Sequence, residues 1–410
     1  MGFLGEVTEE YLGSLMYVKE IKREFRLPQG SSDITALIGP RRVGKTFIML
    51  KSVENLIKRG EKALYIPFDE PMLRRMEVRK LAELVRREHP EGEVHLFLDE
   101  VQEWRNWDHN LRWLHDVKDF RLYVTGSSSA LQSSEIPSRL RGRYISKLLL
   151  PLSFREVAGV DPKTFRERGL LRRLLDEYLK WGGFPEVWIY RSREKVISLL
   201  ETMFYRDIVE RFRVRNVQEF MDVFYFVLSN YSNAFTWNSL RRVLEGQGIR
   251  VDTKTLMSYV DHMRSAFLVF TVRRFSPSER VSAISPKKIY VVDTSFAMLF
   301  DEPMDLGRRM ENLVFLELMR RGGDLFYYVT RSGREIDFLV RERGRTREVI
   351  EVCYDPREEH LKKISEALSE LRLSRATIVT WDRDDSIEVR GRTIHLVPLW
   401  RWLLGDISVF

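Results

Sequence analysis

The sequence predicts an α/β protein that begins with a parallel β-sheet covered by helices. Residues 34–38, 63–66 and 94–98 form short, unbroken apolar runs, which are typical of strands buried on both faces. Stretches with helical spacing of apolar residues lie between and after these runs, for example at 78–88 and 107–117. Because this alternation is the pattern of parallel strands joined by crossover helices, we expect a doubly covered sheet here.

Length and composition limit the kind of protein. A chain of 410 residues with 44% hydrophobic and 31% charged residues fits a folded protein of two or three domains and excludes collagen-like or wholly disordered chains. The single cysteine, Cys353, cannot form an internal disulfide, which is typical of a reducing cytoplasm. No apolar run reaches the roughly 18 residues of a membrane span, and the N-terminus is acidic where a signal peptide is basic. We therefore predict a cytoplasmic protein without a membrane partner.

Four segments follow one another along the chain. Residues 1–150 contain the strand and helix alternation, preceded by an amphipathic lead-in helix at residues 5–26. Residues 151–232 have helical spacing without strand signals, and residues 233–295 contain two short helical patterns followed by an apolar run. Residues 296–410 alternate between strand and helix patterns again. The sequence thus predicts a helical subdomain, a small mixed domain and a C-terminal α/β domain after the first sheet.

A glycine-rich segment directly follows the first predicted strand. Residues 39–46 match G-x-x-x-x-G-K-T between a strand and a helix. In such a loop the backbone wraps phosphate groups, the lysine ammonium lies beside the β- and γ-phosphates, and the threonine hydroxyl reaches Mg²⁺. The candidate nucleotide-binding residues are Gly39, Pro40, Arg41, Arg42, Val43, Gly44, Lys45, Thr46 and Phe47.

Two adjacent carboxylates end the predicted strand at residues 94–98. We expect Asp99 to hold hydrated Mg²⁺ together with Thr46, and Glu100 to orient and polarise the attacking water. Since phosphoryl transfer is catalysed mainly by positioning and electrostatics, Lys45 and Glu100 are the main candidate catalytic residues.

Hydroxyl and arginine side chains follow a fourth predicted strand, at residues 122–124. Ser127 or Ser128 would sense the γ-phosphate if this strand lies next to the strand that carries the paired carboxylates, although an ordinary serine-rich turn explains them equally well. Arg143 or Arg141 is a candidate arginine finger that would act on the nucleotide of a neighbouring subunit. Surface arginines without such a role are the alternative.

Six short motifs occur in order along nearly the whole chain. They are the loop at residues 39–46, Leu98-Asp99-Glu100-Val101-Gln102, Thr125-Gly126-Ser127-Ser128-Ser129, Leu140-Arg141-Gly142-Arg143, Leu152-Ser153-Phe154-Arg155-Glu156 and Gly182-Gly183-Phe184-Pro185-Glu186. Together they resemble AAA-superfamily ATPases of the type called promiscuous archaeal ATPases. The resemblance implies a P-loop AAA+ parallel-sheet core with a helical subdomain, a winged helix and a C-terminal restriction-endonuclease-like α/β domain. It also implies adenine nucleotides and an archaeal type of protein, and the dense Arg and Glu content is similar to that of heat-adapted proteins.

The predicted small mixed domain is strongly basic. Residues 236–288 contain ten Lys or Arg against four acids, and this surplus supplies most of the net charge of +8. Two helices joined by a glycine turn, the second of them capped at Asp252, match a winged helix-turn-helix whose second helix can enter a DNA groove. Arg250, Lys254 and Ser258 would then face DNA, whereas a packing module against the ATPase core is the alternative.

Three acids in the C-terminal segment have the order used by nucleases of the restriction-endonuclease type. Glu311, Asp337 and Glu351 would converge on Mg²⁺ that activates water for attack on a phosphodiester. The resembled family has Lys two residues after the last acid, but this chain has Cys353, which puts cleavage in doubt. Lys362 or Lys363 on the following helix could substitute in space. We favour binding or assembly over cutting.

These patterns predict an ATPase that uses ATP and Mg²⁺ and works on or with nucleic acid. We expect a homo-oligomer, either a ring such as a hexamer or a smaller assembly. A slowly hydrolysing, nucleotide-gated switch that controls oligomer assembly is one alternative. An ATP-regulated, metal-dependent DNA nuclease is the other.

Overall fold

The computed structural model describes residues 2–28, 32–126, 143–159, 165–300 and 303–405. The chain divides into two compact units, Met1–Leu150 and Pro151–Phe410. Helices in the described ranges all lack the combination of length and apolar character that crossing a membrane requires.

A five-stranded parallel sheet forms the centre of the N-terminal unit. Its strands are β1 (Ile34–Ile38), β2 (Ala63–Pro67), β3 (Val94–Asp99), β4 (Phe120–Thr125) and β5 (Tyr144–Leu148). The order is β2-β3-β4-β1-β5, and every neighbouring pair is parallel. The α/β fold with a parallel sheet is therefore confirmed. β4 lies between β3 and β1, so the carboxyl ends of these three strands meet at one edge.

Among the described residues of this unit, five α-helices accompany the sheet. They are α1 (Phe3–Ser14), α2 (Lys45–Lys58), α3 (Pro71–Arg74), α4 (Val78–Glu88) and α5 (Trp107–Val117). The predicted lead-in helix at residues 5–26 is wrong in its length, since α1 ends at Ser14 and one short 3₁₀ turn follows. Its first turn is fixed by Glu88, whose carboxylate accepts from the backbone N–H groups of Leu4 and Gly5 at 2.8 and 2.9 Å. Tyr17, the last residue of the 3₁₀ turn, has a side chain that is 88% exposed, so it makes no buried contact that would prolong the helix.

The C-terminal unit begins with helices. They are α6 (Phe154–Ala158), α7 (Phe165–Trp181), α8 (Pro185–Tyr190), α9 (Arg193–Thr202), a π-helical stretch (Met203–Glu210) and α10 (Val217–Ser229). The helical character predicted for this part of the chain is thus present.

A nine-stranded mixed sheet fills the rest of this unit. The first part of the chain that forms this sheet contains the strands β6 (Ala234–Phe235), β7 (Val269–Arg274) and β8 (Lys287–Val291), with the helices α11 (Trp237–Gly246), α12 (Thr253–Ser265) and α13 (Glu279–Ile284) between them. The second part contains the strands β9 (Asp324–Val329), β10 (Glu335–Glu342), β11 (Arg345–Val352), β12 (Arg375–Thr380), β13 (Asp385–Val389) and β14 (Arg392–Pro398). Its helices are α14 (Leu306–Arg321), α15 (Glu358–Leu371) and α16 (Leu399–Leu404). The strand order is β13-β14-β12-β11-β10-β9-β7-β8-β6.

The pairing of β7 with β9 joins the two parts of this sheet. Arg273 lies opposite Phe326 in a parallel register, while β7 and β8 form an antiparallel pair. Strands from the predicted winged-helix segment, 233–295, and from the predicted C-terminal domain, 296–410, therefore share one sheet. The finer division into these two domains stays a prediction.

The Gly182-Gly183 pair has a structural explanation. Gly182 has a φ of +66°, and a Cβ at this position would lie 1.6 Å from the Oδ1 atom of Asp293. The backbone N–H of Gly183 donates to the other carboxylate oxygen of Asp293 at 2.7 Å, and a Cβ there would lie 2.2 Å from the carbonyl oxygen of Leu152. The motif thus allows a buried aspartate to cap a tight turn.

Candidate functional site

The glycine-rich loop connects β1 to α2 at the carboxyl edge of the parallel sheet. Gly39 has a φ of +150°, and a Cβ there would lie 2.3 Å from the carbonyl oxygen of Leu149. Gly44 has a φ of +98° and immediately precedes α2. Both motif glycines are therefore needed for the path of the backbone, and the loop ends where the free amides of α2 begin.

The ammonium group of Lys45 lies over this loop. It donates to the carbonyl oxygens of Gly39 at 3.0 Å and Pro40 at 2.9 Å, and Lys45 is only 8% exposed. Its positive charge adds to the positive end of the α2 dipole, so the loop is suited to an anionic ligand.

Asp99 is the centre of a buried hydrogen-bond network. Its Oδ2 atom accepts from the hydroxyls of Thr46 at 2.7 Å and Tyr65 at 2.5 Å, and its Oδ1 atom accepts from the hydroxyl of Thr125. Asp99 is 4% exposed. Its carboxylate and the Thr46 hydroxyl are adjacent hard oxygen donors, and Mg²⁺ is typically held by one or two such groups together with phosphate oxygens. These two residues therefore fit the predicted role in holding Mg²⁺.

Glu100 follows Asp99 in a left-handed backbone conformation with a φ of +50°. Its N–H lies 3.1 Å from both the Oδ1 atom of Asp99 and the hydroxyl of Thr125, and its carboxylate accepts from the side-chain amide of Gln102 at 2.5 Å. Burial and the neighbouring Asp99 raise the pKa of Glu100 above its ordinary value. A non-glycine residue held at positive φ is often found at functional sites. The network gives this carboxylate a fixed position beside Asp99.

Sequence reasoning missed three members of this network, Tyr65, Thr125 and Gln102. Thr125 ends β4 and begins the serine-rich motif, whose later residues Ser127 and Ser128 were the predicted γ-phosphate sensors. Its position at the end of a buried strand beside β3 was the available signal. Tyr65 lies within β2 and carries no local motif, since its role depends on strand pairing.

Arg23 lies in the irregular segment after α1 and also contacts the loop. Its guanidinium donates to the carbonyl oxygens of Val43 at 2.8 Å and Leu150 at 2.9 Å. This residue lies in the range of the predicted lead-in helix, and its sequence context predicts no role in the site. The structure shows instead that it joins the glycine-rich loop to the chain beyond β5.

The arginine and serine predictions have different outcomes. Arg143 precedes β5, and its carbonyl accepts from the first amide of β1, so it lies at the sheet edge opposite the loop. Its guanidinium pairs with Asp116 at 2.8 Å. Arg143 therefore does not reach the loop of its own chain, and an action on a neighbouring subunit remains a prediction. Ser127, Ser128 and Arg141 lie outside the described residues.

The residues proposed to face DNA lie on or beside the exposed side of α12. Arg250, Lys254 and Ser258 are all exposed. Asp252 caps the helix as predicted, because its Oδ1 atom accepts from the N–H groups of Lys254 at 2.8 Å and Thr255 at 3.0 Å. The opposite side of α12 is buried, and α12 packs against α10, α11 and β7. A basic helix end is thus presented by a packed scaffold.

A second polar cluster lies in the C-terminal unit. The ammonium of Lys288, on β8, lies 2.9 Å from the Oδ1 atom of Asp337, 3.0 Å from the Oε1 atom of Glu311 and 2.7 Å from the Oε1 atom of Glu335. Lys288 is 2% exposed. Lys363 contacts Glu351 beside it. The acids on α14, β10 and β11 therefore enclose two ammonium groups.

Burial and mutual proximity shift the pKa values in this cluster. Burial and the nearby Asp337 raise the pKa of Glu311 to about 7, and the same two causes raise the pKa of Glu351 well above its usual value. Burial also opposes ionisation of Asp337, but Lys288 and Lys363 outweigh this and lower its pKa. The two lysines therefore favour the ionised form of Asp337, while burial and Asp337 oppose ionisation of Glu311 and Glu351.

The predicted nuclease metal site is not what the structure shows. In the described ranges no three acidic, histidine or cysteine side chains are arranged to hold a metal ion. Glu311 and Asp337 meet, but they meet on the ammonium of Lys288. Of the two lysines expected to substitute in space, Lys363 contacts Glu351, whereas Lys362 pairs with Glu358 at 2.8 Å. An ammonium has taken the position expected for the cation.

Cys353 follows this cluster along the chain. Burial and the neighbouring Glu351 raise the pKa of its thiol to about 12. The thiol is therefore neutral at physiological pH and packs among apolar residues such as Ile336 and Ile378.

The chain matches three described families. The AAA domain family matches residues 31–158, which include the loop and the Asp99 network. Two domains of unknown function, DUF8612 and DUF4143, match residues 172–302 and 306–402.

A full-length relative decides the family. The Methanocaldococcus jannaschii protein MJ1544, described as uncharacterized, is 30% identical over 97% of this chain and 94% of its own length. The chain belongs to the MJ1544 family of AAA-domain proteins. An uncharacterized Haemophilus influenzae protein is 25% identical to it over 82% of this chain and 83% of its own length.

Solved structures of low similarity resemble parts of this MJ1544-family protein. The Walker-type ATPase PABY2304 of Pyrococcus abyssi has a TM-score of 0.43 and 14% identity, covering 71% of this chain and 95% of that one. Aeropyrum pernix ORC1 in complex with DNA has a TM-score of 0.28 and 13% identity, covering 78% and 94%. At these scores the likeness carries no functional argument.

Proposed function

We propose that this MJ1544-family protein is a Mg²⁺-dependent ATPase. The observation that carries the proposal is the hydrogen bond of 2.7 Å between Thr46 and Asp99, formed at the same sheet edge as Lys45 and Glu100. This arrangement places a phosphate-binding loop, a pair of metal-holding oxygens and a second carboxylate together. Hydrolysis of a nucleoside triphosphate uses these parts.

Each residue has a distinct role in the proposed reaction. Lys45 and the amides at the start of α2 bind the β- and γ-phosphates, and Thr46 with Asp99 would hold Mg²⁺. Bound Mg²⁺ would neutralise charge on the phosphate oxygens. Glu100 is fixed by Gln102 and by the hydrogen bonds of its own backbone N–H. In its ionised form, the carboxylate of Glu100 orients the attacking water.

A steady-state ATPase assay with Glu100→Gln tests this role. We expect turnover to be lost, while calorimetry still detects ATP binding with Mg²⁺ because the loop is unchanged. Glu103→Gln is the matched control, since Glu103 is exposed and pairs with Arg74 at 3.6 Å. Unchanged turnover in Glu100→Gln would remove Glu100 from the mechanism. Slow turnover with tightly retained nucleotide in the unmodified chain would favour the nucleotide-gated switch.

We further propose that nucleic acid is the partner, bound by homo-oligomers through the exposed side of α12. The support is local positive charge: Arg250, just before this helix, and Lys254, in its first turn, are both exposed. Lys254→Glu should weaken binding to duplex DNA at low salt and leave ATP turnover without DNA unchanged. Arg264→Glu is a control at the far end of α12, where Arg264 pairs with Asp261 at 2.7 Å. Equal DNA binding by Lys254→Glu and the unmodified chain would contradict this interface.

A further inference from the structure

Three carboxylates surround the ammonium of Lys288. Their oxygens, on Glu311, Glu335 and Asp337, lie between 2.7 and 3.0 Å from its Nζ atom. The three acids come from α14 and β10, and Glu335 and Asp337 are two residues apart on the same strand face. Carboxylate oxygens from α14 and β10 thus surround one ammonium group.

Other groups hold these carboxylates in place. The hydroxyl of Tyr290 donates to Glu311 at 2.7 Å, and the N–H of Val352 donates to the second oxygen of Asp337 at 2.9 Å. Glu311 and Asp337 therefore have orientations that do not depend on Lys288 alone. Carboxylate oxygens are the donors that a hard divalent cation uses, and here they surround an ammonium group instead.

Glu351 supplies an independent sign that this cluster suits a cation. It is 3% exposed, and within the described part of the chain its Oε2 atom is buried without a hydrogen-bond partner, although its Oε1 atom contacts Lys363. Leaving a buried carboxylate oxygen without a donor is costly. Such an oxygen next to Asp337 is available to an additional cation.

We propose that Lys288 is the resident cation of a divalent-metal site, so that the natural chain assembles this site without a metal ion and removal of the ammonium opens it to Mn²⁺ or Mg²⁺. Lys288 cannot bind and acidify a water molecule as a metal ion does. The C-terminal unit therefore holds nuclease-like acids in a form that does not activate water. Lys288 and Lys363 instead offset the repulsion among the four neighbouring acids, of which Asp337 and Glu351 are buried.

Lys288→Met tests the proposal, because methionine has a similar length and no charge. Mn²⁺ binding is measured by electron paramagnetic resonance on the full chain without nucleotide. We expect one additional Mn²⁺ ion per chain relative to the unmodified protein, and a thermal midpoint that rises with Mn²⁺ only in the variant. Adding Asp337→Asn to Lys288→Met should remove both effects. Lys287→Met is the matched control, since the adjacent Lys287 points its ammonium at the ring of Trp237 instead.

Three outcomes would overturn the proposal. The first is an equal number of bound Mn²⁺ ions in folded Lys288→Met and in the unmodified chain. The second is loss of one Mn²⁺ ion from the unmodified chain on Asp337→Asn, which also decides the matter if Lys288→Met does not fold. The third is nicking of supercoiled DNA by the unmodified chain that requires both Mn²⁺ and Asp337.

Discussion

Thr125 is expected to determine how strongly the paired carboxylates Asp99 and Glu100 promote hydrolysis. Its hydroxyl donates to Asp99 and accepts from the N–H of Glu100 at 3.1 Å, and Thr125 is 0% exposed. Thr125→Val keeps the shape of the side chain and removes both interactions. A hydrogen bond to a charged group contributes about 1.5–3 kcal/mol.

That free energy sets the size of the expected effect. If it is fully expressed in the transition state, about 1.5–3 kcal/mol corresponds to a roughly 10- to 150-fold fall in kcat. The ATPase assay should show this fall with a smaller change in KM, because Lys45 and the loop are unchanged. Thr125→Ser keeps the hydroxyl and is the control, with turnover close to that of the unmodified chain. A kcat for folded Thr125→Val within about twofold of the unmodified value would refute the reasoning, since the expected loss is at least about 1.5 kcal/mol.

Three further predictions follow from the same structure. Gln102→Leu removes a donor that lowers the pKa of Glu100, so that pKa should rise and the acid limb of the kcat–pH profile should move to higher pH; an unmoved limb would contradict this. Arg23→Gln should weaken ATP binding about tenfold in calorimetry, by loss of roughly 1.4 kcal/mol of support for the loop, whereas unchanged affinity would mean that Arg23 does not position it. Gly182→Ala should lower the thermal midpoint because its φ is positive and its Cβ would strike a buried carboxylate, while Gly169→Ala, inside α7 with open space around it, should raise the midpoint or leave it unchanged.

The N-terminal sheet could be predicted because its signals are local. The strands β1 to β4 are short apolar runs, whereas β5 contains Ser146 and Lys147 and was not predicted. Both motif glycines are required by positive φ angles and, at Gly39, by close contact with another backbone segment. The end of α1 could not be predicted in the same way. Apolar spacing continues to Phe25, but the structure gives Tyr17 no surface to pack against, and helix stability depends largely on such packing.

The candidate site could be predicted only where its residues are close in sequence. Lys45, Thr46, Asp99 and Glu100 belong to motifs, whereas Tyr65 joins them through the pairing of β2 with β3. Non-local contacts of this kind leave no spacing pattern.

The cluster in the C-terminal unit shows the same limit more strongly. Lys288 was counted among the basic residues of a DNA-facing segment, yet it is 2% exposed. Its partners Glu311 and Asp337 lie on elements that meet only when β8 and β10 enter the same sheet. Charge counted along a sequence does not distinguish a surface lysine from a buried one.

The shared nine-stranded sheet has a mechanical consequence. α12 packs against β7, and β7 pairs with β9, so a load applied to α12 reaches β9 first through packing and then through backbone hydrogen bonds. Dividing the chain into two fragments between residues 295 and 296 would leave an unpaired strand edge on each fragment, which favours aggregation. It would also separate Lys288 from its carboxylate partners. A force on α12 is therefore transmitted to the sheet that carries the acids of the Lys288 cluster.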